Sequence, residues 1–177
     1  AFFPLYPLSV AALTKLGLPV VVAGFIASSS FIAAAAVLGR SLLRGSRTWW
    51  LWSFALLAGP FSMLFATLYT ESLFILLIVL ALRALSRQRY LRAGLWAALL
   101  SATRVTGVLM TIAILVAAIA EQRRSGMRWR DLPGALLRRS DLVLAVFVAP
   151  IGLFLYMAYM QALTGDGFAF MHIHAPW

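Results

Sequence analysis

The stretch AGLWAALLSATRVTGVLMTIAILVAAIA, Ala93 to Ala120, decides the topology of the chain. As one α-helix its roughly 28 residues would run about 42 Å, well beyond the roughly 30 Å of bilayer hydrocarbon. As two full spans it is too short. A single crossing would also carry Arg123, Arg124, Arg128, Arg130, Arg138 and Arg139 to the side opposite the preceding arginines, which breaks the positive-inside rule. A re-entrant hairpin of two short helices, with its tip near Thr103 to Gly107, satisfies both constraints. Non-helical backbone at membrane depth is tolerated only against protein or a water-filled cavity. The hairpin therefore implies a cavity beside its tip.

Outward from that hairpin, arginine clusters mark the ends of the other apolar runs. Pro19 to Gly39 ends at Arg40, Arg44 and Arg47. Thr48 to Leu82 ends at Arg83, Arg87, Arg89 and Arg92; it is too long for one span and nearly right for two. Gly59 and Pro60 loosen its first half, and Thr70-Glu71-Ser72 marks a meeting of two helices at Tyr69 to Ser72. Leu142 to Leu163 is a final span, softened by Pro150 and Gly152, that leads outward to Thr164 to Trp177. Ala1 to Leu16, with Pro4, Pro7 and Lys15, reads as an outer interfacial segment. The expected fold is all-α: a polytopic transmembrane bundle of about four full spans plus the re-entrant hairpin. Residues 1–177 form one transmembrane domain, expected to be incomplete at both ends. All 15 basic residues except Lys15 and Arg104 then lie on the cytoplasmic side. Trp49, Trp50 and Trp52 fall at that interface, and Tyr156 and Tyr159 approach the other, as an aromatic belt does.

Composition agrees. Of 177 residues, 63% are apolar and 11% charged, and the mean hydropathy is +0.95. A soluble domain of this size cannot hide so much apolar surface, and a disordered chain has the opposite balance. The absence of cysteine excludes disulfides and thiolate metal sites. The net charge of +10 is held in short clusters between apolar runs, not along one soluble face, which argues against nucleic acid as a partner. No basic n-region precedes the first apolar residues, so no signal peptide is expected in the sequence as written. Basic charge comes from arginine, Lys15 excepted, and alanine is abundant; this bias points to a bacterial source. No G-x-G-x-x-G or P-loop pattern is present, so a transferred group would arrive on a lipid carrier.

Polar groups at membrane depth need a reason. Arg104 costs roughly 2.5–3.5 kcal/mol at a helix centre. Either it pairs with carbonyls or an acid inside the bundle, or it anchors a phosphate, which the planar guanidinium fork suits. Glu71 is either a first-turn carboxylate favoured by the helix dipole or a cavity group that binds a sugar hydroxyl or partners Arg104. Asp166, in Thr164-Gly-Asp-Gly167, reads alone as an ordinary turn. His172 and His174 make a weak metal pair with no third ligand in sequence.

Several of these residues lie in stretches that resemble the PIG-V family of mannosyltransferases. FFPLYP at Phe2–Pro7, PFSMLFATLYTESLF at Pro60–Phe74, ATRVTG at Ala102–Gly107 and TGDGFAF at Thr164–Phe170 follow in the family's order, and Trp177 also fits. YTESLF is the most specific of these. The resemblance implies a GT-C membrane glycosyltransferase that moves mannose from a polyprenyl-phosphate donor to a glycolipid or glycan acceptor. Transfer would occur on the non-cytoplasmic side, of the bacterial plasma membrane or, in a eukaryote, of the endoplasmic reticulum, where the family serves GPI-anchor biosynthesis. It implies that Arg104 meets the donor phosphate, that Glu71 positions donor or acceptor, that Tyr69 and Thr70 shape the cavity wall, and that Asp166 lies on the same outer face. No cofactor is implied, and a divalent metal is left open. The family's catalytic aspartate stands in a loop before FFPLYP, upstream of Ala1, so these 177 residues alone are expected to be inactive. The chain departs from the family at Val105-Thr106 in RVTG, where eukaryotic members tend toward R-S-N-G, at Gly167 in place of proline and at His174 in place of glutamine. Two other classes compete: a secondary transporter, which also uses broken helices and intramembrane charge, and a non-catalytic membrane subunit.

Overall fold

A computed structural model describes residues 4–43, 45–60, 62–63 and 69–168. Among them every regular element is helical. We number the helices α1 (Leu5–Thr14), α2 (Val20–Gly39), α3 (Ser46–Leu57), α4 (Glu71–Ser86), α5 (Tyr90–Ser101), α6 (Met110–Arg124), α7 (Leu132–Leu137), α8 (Ser140–Val148) and α9 (Ile151–Thr164), with a 3-10 turn at Val105–Leu109 between α5 and α6. Among the described residues three stretches are long and apolar enough to cross a membrane: Val20–Gly39, Val105–Arg124 and Ser140–Thr164.

The packing is that of a bundle whose outer face meets lipid. Val20, Val21, Phe25, Phe147, Phe154 and Leu155 are exposed, a density of large apolar side chains that a water-facing surface does not carry. The interior is instead built from small residues, including Ala23, Ala27, Ala93, Ala97, Ala145 and Ala149. In lipid there is no hydrophobic drive between helices, and small side chains let backbones approach for dispersion contact. A Cβ on Gly94 would lie 2.6 Å from the Ala145 Cα, so α5 and α8 touch almost backbone to backbone.

Arginine-bearing helix ends gather at one end of this bundle. Tyr90, at the start of α5, donates its hydroxyl hydrogen to Glu121 Oε2 near the end of α6. Arg139, just before α8, donates to the same oxygen at 3.2 Å. The end of α4 lies there too, joined to α5 by the turn Arg87–Arg89. Val20 shares a cavity wall with Tyr69 and Thr70, so α2 and α4 start at the opposite end and run in parallel. The sequence contains no cysteine, which makes single-cysteine labelling clean. Cysteines at Ser46, Ser86 and Ser125 are expected to react with an impermeant maleimide from one side of the membrane only, and one at Thr164 from the other. Labelling of positions 86 and 125 from opposite sides would refute the hairpin.

The hairpin has the expected break. α5 stops at Ser101; Arg104 is extended (φ −157°, ψ 146°), and the 3-10 turn then reverses the chain. Its tip reaches only partway along the neighbouring helix pair. A Cβ on Gly152 would lie 2.7 Å from Ser101 Oγ and 2.8 Å from the Ala102 nitrogen, and Gly152 stands midway along the 25 residues of Ser140–Thr164. At the kink before it, Leu153 N–H turns to Pro150 O at 3.1 Å, which frees the Ala149 carbonyl from its usual partner four residues on. Ser101 takes up the slack: its hydroxyl lies 2.9 Å from Ala149 O and accepts from Leu153 N–H at 3.2 Å.

The arms are unequal, however. α5 has 12 residues, whereas Val105–Arg124 is by length a span in its own right. The described part of the run Thr48–Leu82 holds α3 and α4, with helical residues also at Ser62 and Met63. α3 ends after 12 residues at Leu57, because Gly59 and Pro60 interrupt the helix and do not merely loosen it. α4 has 16 residues. Each is shorter than the roughly 20 residues of a straight crossing. The first segment is a ten-residue helix held on α2 by Tyr6, whose hydroxyl sits 2.7 Å from Ser28 Oγ.

Candidate functional site

Opposite the arginine-rich end, two helix termini bring Glu71 and Arg104 together. Glu71 is the first residue of α4, where a carboxylate is favoured by the unpaired N–H groups of the first turn. Arg104 stands at the hairpin tip, where the end of α5 leaves its backbone extended. Arg104 Nη1 donates to Glu71 Oε1 at 3.0 Å. Of the alternatives open for these residues, pairing with an acid is the one observed, and Glu71 is also the first-turn carboxylate. Phe74, one turn along α4, lies under the guanidinium, with its ring centroid 5.9 Å from Cζ, a cation–π distance. Nothing beyond its place in the YTESLF stretch marked Phe74 in the sequence.

Two features leave the pair chemically open. The Arg104 side chain is 48% exposed, and among the described residues only its Nη1 is hydrogen-bonded. Glu71 Oε2 is buried and has no hydrogen-bond partner among the described residues. A buried acceptor without a donor costs about 1–3 kcal/mol, so a hydroxyl reaching it would be bound with real gain.

Apolar cavities flank this end of the bundle. One of about 410 Å³ is lined by Tyr6, Val10, Ala11, Val20, Tyr69 and Thr70. A second, of about 500 Å³, lies between α1, α5 and α9, with Leu5, Leu99, Ala102, Leu155 and Tyr159 in its wall. Tyr69 and Thr70 line the first of these. Asp166 Oδ1 accepts from Phe168 N–H at 2.8 Å, closing the turn after α9. His172, His174, Trp177 and the start of FFPLYP lie outside the described residues. Among the described residues no group of three or more His, Asp or Glu is placed to hold a metal ion.

A second polar cluster, at the arginine-rich end, was not singled out in the sequence. Glu121 there accepts from both Tyr90 and Arg139, and Arg139 also pairs with Asp141 at 3.5 Å. The Arg139 guanidinium lies 4.7 Å over the Tyr90 ring. Burial alone would lower the Arg139 pKa; the hydrogen bond to Asp141 and the charges of Glu121 and Asp141 outweigh it and hold it above its ordinary value. The signal in sequence was an acid closing an apolar run ahead of Arg123 and Arg124.

Fold and site thus define an all-helical chain with membrane-length helices and a charged pair at a broken hairpin. Compared with models of known families, with curated proteins and with solved structures, the chain matches none.

Proposed function

We propose that this chain is the membrane core of a PIG-V-like mannosyltransferase of the GT-C type, acting on the non-cytoplasmic side with a polyprenyl-phosphate mannose donor. The observation that carries the reading is the Arg104–Glu71 pair, with its half-exposed guanidinium and its unpartnered buried carboxylate oxygen. In this reading the hairpin is re-entrant and Arg104 sits near mid-depth, where a guanidinium paired with Glu71 avoids the cost of an isolated charge. Its uncommitted N–H groups meet the donor phosphate, while Glu71 Oε2 accepts a hydroxyl of the sugar. The apolar cavities at Tyr69 and Ala102 suit an isoprenoid tail.

During transfer an acceptor hydroxyl loses its proton to a carboxylate and attacks the anomeric carbon, and the lipid phosphate departs with the bonding electrons. Arg104 stabilises the charge that grows on the leaving phosphate. The base is the family's aspartate, upstream of Ala1, since Glu121, Asp131 and Asp141 belong to the arginine-rich side.

The test is transfer itself. Full-length protein in vesicles is expected to move radiolabelled mannose from polyprenyl-phosphate mannose to a lipid or glycan acceptor, and residues 1–177 alone are expected to move none. Solute flux across the vesicle without sugar transfer would replace this reading with a transporter.

A further inference from the structure

A further cavity lies far from the Arg104–Glu71 pair, at the arginine-rich end between α4 and α6, with a volume of about 700 Å³. That is within the roughly 300–1,000 Å³ of ligand sites. Its inner wall is apolar, formed by Leu82 and Leu85 on α4 and by Ala113, Val116 and Ala117 on α6. Its mouth is polar and cationic, with Ser86, Gln88, Arg124 and Ser125. From Ala113 to Ser125 the groove follows α6 for about 18 Å, so one end sits among lipid-facing residues and the other among the arginines.

The acid in the wall does not oppose an anion. Glu121 is already held by Arg139 at 3.2 Å and by the Tyr90 hydroxyl. Arg124 has no acidic partner among the described residues.

The turn at the mouth carries a further mark. α4 ends in a Schellman motif: Arg89 N–H donates to Ala84 O at 2.9 Å and Gln88 N–H to Leu85 O at 2.9 Å. The left-handed position of that motif belongs to glycine, yet here it is Gln88 at φ 55°. The same motif after α6 uses Gly126 at φ 85°. A left-handed non-glycine residue costs about 1–2 kcal/mol, and such strain gathers at ligand clamps. The Gln88 amide makes no side-chain hydrogen bond within the described residues and lines the cavity mouth.

We propose that this cavity binds an anionic phospholipid, with one acyl chain between α4 and α6 and the phosphate held by Arg124, Gln88 and Ser125. The apolar groove and cationic rim match the two halves of such a lipid, and a basic pocket between membrane helices is a known physical basis for headgroup recognition. This site is independent of the transferase reading.

The test is thermal unfolding of the purified protein in neutral detergent, with added dioleoyl phosphatidylglycerol, dioleoyl phosphatidylcholine or inorganic phosphate. Phosphatidylglycerol is expected to raise the midpoint by about 5–10 °C at saturation, with phosphatidylcholine and phosphate giving under about a quarter of that. Arg124→Gln is expected to remove at least half of the phosphatidylglycerol increment. Gln88→Gly guards against a folding artefact: it relieves the left-handed strain, so its lipid-free midpoint should equal or exceed that of the wild type while its lipid increment falls. Equal shifts from the two phospholipids would overturn the proposal. So would a full shift from phosphate alone, or an undiminished increment in both variants.

Discussion

Arg104→Ala is expected to lower the turnover of the proposed mannosyl transfer by about 10²-fold or more, as removal of one preorganised transition-state donor does. The guanidinium is placed for this by its surroundings. One N–H is fixed on Glu71 at 3.0 Å, the cation lies over Phe74, and half of the side chain remains open. The same geometry predicts a structural cost, since the alanine variant would leave the Glu71 carboxylate without its counter-charge. The double variant with Glu71→Gln removes that cost, and its midpoint should recover toward wild type while turnover stays low. Arg104→Lys completes the separation. An ammonium keeps the charge beside Glu71 but lacks a planar fork, so the fold should hold and turnover should recover little. A folded Arg104→Ala protein with wild-type turnover would confine the pair to holding α4 against the hairpin.

Charge bookkeeping along the sequence was enough to place the break between α5 and α6. A single helix from Ala93 to Ala120 would have parted the arginine clusters, and the break at Ala102–Arg104 is what keeps Arg89 and Arg139 at one end. The pairing of Glu71 with Arg104 was legible only as one of several options. Charges of opposite sign set in apolar runs need partners, but 33 residues separate these two and no local period links them. The premature end of α3 was harder to read. Hydropathy over Thr48–Leu82 is continuous, and Gly59-Pro60 within such a run is compatible with either a kinked or an ended helix. The Tyr90–Glu121–Arg139 cluster lay hidden for a different reason. Each member sits at the edge of an apolar run, where exposed charge is ordinary, and only the antiparallel return of α6 brings Glu121 back to Tyr90.

Gly152 carries a tertiary role that its sequence neighbourhood does not announce, and Gly152→Val is expected to be among the most damaging single substitutions in the chain. A Cβ there would collide with the Ala98 carbonyl oxygen, and it would lie 2.7 Å from Ser101 Oγ and 2.8 Å from the Ala102 nitrogen. These are helix backbone atoms and a hydroxyl already in use, so no flexible side chain can swing aside. α9 must instead lift from α5. Lifting parts Ser101 from Ala149 O and Leu153 N–H, bonds of 2.9 and 3.2 Å that satisfy the broken backbone at Pro150. Overpacking costs about 1–3 kcal/mol, and the added loss of buried hydrogen bonds puts Gly152→Val at the upper end, a fall of about 6–12 °C in the melting midpoint. Ala102, two residues before Arg104, moves with α5. Displacement by about 1 Å at a site of charge development costs about 10² in rate, so turnover should fall in the milder Gly152→Ala protein even at temperatures where it stays folded. Gly134→Ala is the control, because its Cβ meets nothing within 4 Å and both midpoint and turnover should stay at wild type. A Gly152→Val protein that melts with the wild type would mean that α9 does not pack this closely against the hairpin, and the route from Gly152 through Ala102 to Arg104 would be lost with it.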